Sequence, residues 1–300
     1  MLNSTSKLLA LTLAMMAAAP HLSCPAAPLA LKGLTLELVC EQDALVPGKP
    51  LSLGLMIHHE PGYHTYWKQP GIVGVPTALR WDLPKGFMAG DLLYPGPEIT
   101  HMFQIRAQGF ERPVLLQTLI TVPKEARIGD RITLRAQASW MCCAKTCHPG
   151  QAMLSVTLPV RDRAAPDPQW QPIFEQERSR FARTSTQWQS QATQRGQRVE
   201  LTLKPLGPLA RPLAKSDLEG LHFFTLDGWI NTDTPQELIL NPEGGITIRL
   251  LVSEVFLGGQ TPKSLNGIVG REGAGWLRDK NLRCLIVTPK LSRQTTQAGS

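Results

Sequence analysis

Hydrophobic and polar residues alternate along this chain in short runs. Leu34, Leu36, Leu38 and Cys40 recur at every second position, as do Leu51, Leu53, Leu55 and Ile57. A period of two marks a strand with one buried face. Val46-Pro47-Gly48-Lys49-Pro50, between the two runs, reads as a turn. Leu115, Thr118, Ile120 and Val122 predict another strand, ended by Pro123, and Gly129-Asp130 turns the chain into the next. There Ile132, Leu134, Ala136, Ala138, Trp140 and Cys142 fall on one face; Thr133, Arg135, Gln137, Ser139, Met141 and Cys143 fall on the other. Ala152 to Val160 alternates again. Arg161 to Pro172, rich in proline and aspartate, reads as a linker. Trp170, Ile173, Phe174 and Phe181 have near-helical spacing and predict one short amphipathic helix within residues 163–186. From residue 187 to 300, Val199-Leu201-Leu203, Ile246-Ile248-Leu250-Val252 and Leu282-Cys284-Ile286 predict a second, mostly-β domain with a spacer or docking role. The fold class expected is all-β, a β-sandwich over residues 31–162 followed by that second domain.

Composition narrows this. With 300 residues and 42% hydrophobic content the chain can fill two ordinary cores, and 25 Gly and 25 Pro favour strands and turns over long helices. The net charge of +7 is scattered, with no basic cluster interleaved with aromatics, so no nucleic-acid partner is expected. Lys7 followed by the apolar Leu8 to Ala19 reads as a signal peptide within a leader over residues 1–30. That run is shorter than the roughly 20 residues a membrane helix needs. His21-Leu22-Ser23-Cys24 is a weak lipoprotein-like box, which makes Cys24 a candidate lipid-attachment site. No nucleophile elbow, phosphate loop or zinc spacing is found, so neither cofactor nor metal ligand is assigned. His58, His59 and His64, around Pro61-Gly62, read as surface or loop histidines.

The chemistry lies with the cysteines, three of which fall between Ala136 and Gly150. Cys40, Cys142 and Cys284 alternate with apolar residues and read as buried thiols. Cys143 falls on the polar face, where a partner could reach it. In a straight strand Cys143 and Cys147 would stand roughly 13 Å apart, whereas a disulfide needs Cα atoms within about 7 Å. Pairing therefore requires a turn across Ala144-Lys145-Thr146, and His148-Pro149-Gly150 suits a further turn before the next strand. Two readings of the pair stand. It is a structural staple, or it is a redox pair, because so short a loop gains little from closure and the nearby Lys145 and His148 favour a thiolate. Cys143 and Cys147 are the candidate catalytic residues.

The motif Trp140-x-x-Cys143-x3-Cys147-x-Pro149-Gly150 resembles that of the DsbD-type periplasmic thiol–disulfide interchange N-terminal domain, in particular its ScsB-like branch. The resemblance extends upstream through Pro61-Gly62-Tyr63-His64-Thr65-Tyr66-Trp67, Pro70-Gly71, Gly74-x-Pro76, Trp81-x-Leu83-Pro84-x-Gly86 and Tyr94-Pro95-x-Pro97. Phe223-Phe224 and Pro235-Gln236 resemble, more weakly, the second periplasmic domain of that branch. The resemblance implies an immunoglobulin-like fold and a periplasmic protein-disulfide reductase or interchange component that passes reducing equivalents through Cys143 and Cys147. Its partners would be a membrane electron-donor protein and periplasmic thioredoxin-like or disulfide-bearing proteins. The resembled proteins continue into membrane and thioredoxin-like domains. No later stretch of this chain matches those, so the donor is expected to be a separate protein. In the family an aromatic-bearing loop can cap the cysteine pair; Trp67, Tyr94 and Phe103 are the candidates. The branch's association with copper tolerance suggests an alternative, a Cu(I) module using Met141, Cys142, Cys143, Cys147 and His148. Another alternative is a non-catalytic partner-binding protein with a structural disulfide.

Overall fold

The structure is a computed structural model describing residues 27–207, 212–256, 259–271, 276–277 and 282–294. Most of the leader, with Cys24, lies outside the described residues. The strands of the first half are β1 (Leu29–Leu31), β2 (Leu34–Cys40), β3 (Pro50–His59), β4 (Thr65–Tyr66), β5 (Ala78–Asp82), β6 (Met88–Ala89), β7 (Glu98–Met102), β8 (Ile105–Phe110), β9 (Val114–Thr121), β10 (Arg131–Cys143) and β11 (Cys147–Pro159). One helix, α1 (Gln171–Ser179), follows. The second half holds β12 (Trp188–Arg195), β13 (Arg198–Pro205), β14 (Leu221–Thr225), β15 (Glu237–Leu240), β16 (Ile246–Leu251), β17 (Gly267–Arg271), β18 (Cys284–Val287) and β19 (Leu291–Arg293).

In the first half a five-stranded sheet, β1-β2-β3-β9-β6, faces a three-stranded sheet, β11-β10-β5. The alternating residues explain why. Leu34, Leu36 and Leu38 of β2, Leu51, Leu53, Leu55 and Ile57 of β3, and Leu134, Ala138, Trp140 and Cys142 of β10 point into one shared core. The outer face of the larger sheet would be left bare. Val39, Met56 and Leu115 on that face are covered instead by Trp170 and Phe174 of the expected helix. Pro172 opens α1, where a missing N–H costs nothing, and Arg178 of its last turn pairs with Glu41.

A third small sheet, β4-β8-β7, closes one end of this sandwich. The second half contributes β15-β16-β13-β12-β19 and β14-β17-β18, around a core that includes Trp229 and the edge-on pair Trp188 and Trp276. All ladders are antiparallel except that of β12 with β19. The halves share apolar surface: Phe224, Ile268 and Cys284 belong to the core of the first half, and Phe224 lies edge-on to Trp67. They also share hydrogen bonds. Gln108 of β8 accepts from Thr225 N at 2.8 Å and donates to Thr225 O at 3.0 Å, as another strand residue would. Arg106 N donates to Asp233 Oδ1 at 2.8 Å.

Candidate functional site

The site is built at the far end of the longest ladder. Strands β10 and β11 pair over thirteen residues, from Arg131 opposite Pro159 to Cys143 opposite Cys147. The motif residues each have a reason in this ladder. Trp140 lies opposite Gly150, where any Cβ would collide with the indole ring. Pro149 lies opposite Met141; β11 is the edge of its sheet, so a residue with no N–H is tolerated there. Residues 148–150 are therefore strand, not the turn the sequence suggests. The chain reverses only across residues 144–146, with Ala144 N donating to Thr146 O at 3.1 Å.

The reversal leaves Cys143 and Cys147 directly opposed, Cα atoms 4.1 Å apart, and joined by a disulfide. The close spacing follows from what flanks Cys143. Its backbone N–H and C=O both point away from Cys147, to His64: Cys143 N donates to His64 O and His64 N to Cys143 O, each at 2.9 Å. Cys143 and Cys147 are thus the non-hydrogen-bonded kind of cross-strand pair, in which side chains come nearest.

Alternation places Cys142 in the sandwich core, and it is buried there; burial pushes its thiol up to about 11, with the Glu60 charge adding. The same alternation makes Cys143 a surface residue, and this the structure corrects. Cys143 is 0% exposed. The third sheet covers its face, so Cys143 packs with Tyr66 of β4, Ala107 of β8 and the flanking Val73, Met102 and Met141. Cys147, across the bond, is the exposed partner. The disulfide thus joins an exposed residue to a buried one.

His64 is likewise no surface residue. It is 2% exposed, its ring stands edge-on to Tyr66 with centroids 5.1 Å apart, and burial holds it down to about 4, so it is neutral at pH 7. Neither His64 Nε2 nor the Tyr66 hydroxyl has a hydrogen-bond partner among the described residues. His59 is engaged with Thr65 Oγ1 and Arg112 O, and His58 is exposed. The soft atoms of the copper alternative do not converge: Cys142 faces the core, while His148 Nε2 is bonded to Thr146 Oγ1 at 2.9 Å.

Of the aromatic cap candidates, Trp67 is a core residue donating to Pro95 O, and the Tyr94 hydroxyl donates to Thr77 O. Phe103 is the candidate that adjoins a residue in contact with the pair. It stands at the tip of the β7–β8 hairpin, 70% exposed, at φ 55°, a backbone position that usually takes glycine. Its neighbour Met102 places Sδ 3.5 Å from Cys147 Sγ. Met102 and Tyr66 are absent from the sequence-derived site. The aromatic run Tyr63-His64-Thr65-Tyr66-Trp67 points to Tyr66, and nothing local ties Met102 to a cysteine 45 positions away.

Residues 36–159 match the family model of the thiol:disulfide interchange protein DsbD, N-terminal. The N-terminal periplasmic domain of ScsB from Proteus mirabilis superposes with a TM-score of 0.60 at 14% identity, over 89% of this chain and 99% of that one. A protein of unknown function from Porphyromonas gingivalis W83, 14% identical over 86% of this chain and 100% of its own, has a TM-score of 0.24, too low to bear on the fold. No curated protein matches. The first half has the immunoglobulin-like β fold of the DsbD N-terminal family. Among the described residues no helix is long and apolar enough to cross a membrane.

Proposed function

We propose that this DsbD N-terminal-like domain is an interchange module of a periplasmic protein, passing reducing equivalents through Cys143 and Cys147. One observation carries the reading: the disulfide joins an exposed cysteine to a buried one. A purely structural staple has no need of that asymmetry, whereas exchange requires it. An incoming thiolate attacks Cys147 Sγ, the Cys143–Cys147 bond breaks, and a mixed disulfide forms at Cys147. The electron pair leaves on Cys143. The partner's second thiolate then attacks the partner's own sulfur in the mixed disulfide and expels Cys147 as a thiolate, which leaves the pair reduced and the partner oxidised. In the opposite direction the Cys147 thiolate attacks a partner's disulfide and one partner thiolate leaves; the Cys143 thiolate then attacks Cys147 Sγ, closing the Cys143–Cys147 bond and releasing the second partner thiolate. Thioredoxin-like proteins and an electron-donating membrane protein are the partner classes. The β7–β8 tip, with Met102 against Cys147 and Phe103 beside it, is the cap.

The test is the reduction potential of the pair in a glutathione series, with thiols counted by mass. Values of roughly −120 to −270 mV are expected for an exchange protein. A value below about −300 mV would make the bond a staple and end this reading. Because Cys147 is the accessible sulfur, Cys143→Ser is the variant that should trap a partner as a mixed disulfide.

A further inference from the structure

Opening the disulfide creates a problem that the reaction scheme leaves unanswered. The leaving sulfur, Cys143, is wholly buried, and a thiolate out of reach of water is costly unless donors replace its hydration. Lys145 lies in the exposed turn. Two other groups border Cys143. In the backbone pair of His64 with Cys143 both N–H···O bonds are exchanged, and residues directly opposed in such a pair project to the same side of the sheet. Tyr66 shares the apolar cluster of Cys143 and lies edge-on to the His64 ring. Both carry a buried polar atom with no partner among the described residues, His64 Nε2 and Tyr66 Oη. Unsatisfied buried polar atoms are rare in native structures and call for an explanation. Here they occur on two side chains in contact with each other, on residues that border the one whose sulfur gains a charge.

We propose that His64 and Tyr66 form a thiolate-binding pocket: His64 Nε2–H and Tyr66 O–H donate hydrogen bonds to Cys143 Sγ once the disulfide opens. This rests on the interchange reading and identifies the groups that hold its leaving sulfur. No proton moves. The partner's negative charge enters at Cys147, the S–S electron pair passes to Cys143, and the charge is held there by two neutral donors. The donors are idle in the disulfide form and satisfied in the open one. They favour the leaving thiolate as an oxyanion hole favours a developing alkoxide. Other titratable groups around the pocket are Cys142 on the opposite face of β10, Glu60 before β4, His101 of β7, whose charge His64 senses, and Lys145.

The decisive measurement is the thiol pKa of Cys143 in the Cys147→Ser protein, from thiolate absorbance between pH 4 and 9.5. Cys142, with its thiol up at about 11, and Cys284, at about 12, are silent in that window, as is the still higher Cys40. His64→Phe should raise the Cys143 value by about 1–2 units, and Tyr66→Phe, which removes only a hydroxyl, by a similar amount. His64→Gln, which keeps an N–H, should restore part of the shift. In the protein with both cysteines intact, the same substitutions should slow cleavage by a small thiol at least tenfold. An unchanged Cys143 pKa in Tyr66→Phe and in any folded His64 variant overturns the pocket while leaving exchange intact. If instead the wild-type pair fails to exchange, the interchange reading falls, and the titration still reports whether the donors act on Cys143.

Discussion

Cys147 and Cys284 each begin a β-strand, yet they share no chemistry. Opposite Cys147, strand β10 presents Cys143, and a disulfide forms at an exposed tip. Opposite Cys284, strand β17 presents Gly270, and Gly96 of the first half sits against the sulfur so closely that a Cβ there would collide with it. Burial pushes the Cys284 thiol up to about 12, against the pull of Arg180 and Arg283. The cross-strand neighbour, rather than the residue type, decides which of the two cysteines is paired.

The largest effect tests the reactive side. Cys143→Ser and Cys147→Ser should each abolish cycling of the pair in an insulin-reduction or thioredoxin-coupled assay, while Cys284→Ser leaves the rate unchanged. A rate loss in Cys284→Ser would break the comparison. Next, Gly270→Cys supplies Cys284 with the partner it lacks. The new Cβ would stand 2.8 Å from the Cys284 sulfur, close enough for the added Sγ to reach it once the Cys284 side chain shifts. Two thiols should disappear by mass, and the closed loop should stabilise the fold by up to about 3 kcal/mol in urea unfolding. Because this bond is buried, it should not exchange with glutathione under native conditions.

A smaller effect follows from the histidines. Burial lowers His59 and His64 in the first half to about 4 and His222 in the second to about 3. The unfolded chain takes up protons below about pH 6.5 that the folded chain refuses. Stability is therefore full above that pH and declines as pH falls toward 4, with His222 extending the loss toward 3. Urea midpoints across pH 3–7 should show this slope, and His222→Gln should flatten it. The smallest effect is expected from Cys142→Ala. It deletes a buried sulfur at about 1–2 kcal/mol, and exchange should continue unaltered.

The strands of this molecule were largely legible because alternation records burial. Leu34 to Cys40, Leu51 to Ile57 and Ile132 to Cys142 all point where their period of two directs. The reading fails at Cys143 for a definite reason. Alternation distinguishes the two faces of a strand, but it cannot register a third sheet laid over the polar one. That sheet comes from residues 65–66 and 98–110, which carry no long apolar run of their own. His64 looked like a loop histidine on the same grounds, and Pro149-Gly150 looked like a turn because local turn chemistry is blind to a free sheet edge. The helix was found because Trp170 and Phe174 keep their spacing, although their target, the outer face of β2, β3 and β9, was not visible.

The apolar core of the first half is completed by Phe224, Ile268 and Cys284, although the family match ends at residue 159. That arrangement has a consequence for heredity. A gene fusion or truncation that separated the two segments would uncover Trp67 and its neighbours and leave Gln108 without the Thr225 backbone it mimics a strand for. Descendants of this chain are therefore expected to gain or lose the two halves together, and substitutions at Trp67 and Phe224 to be accepted as matched pairs.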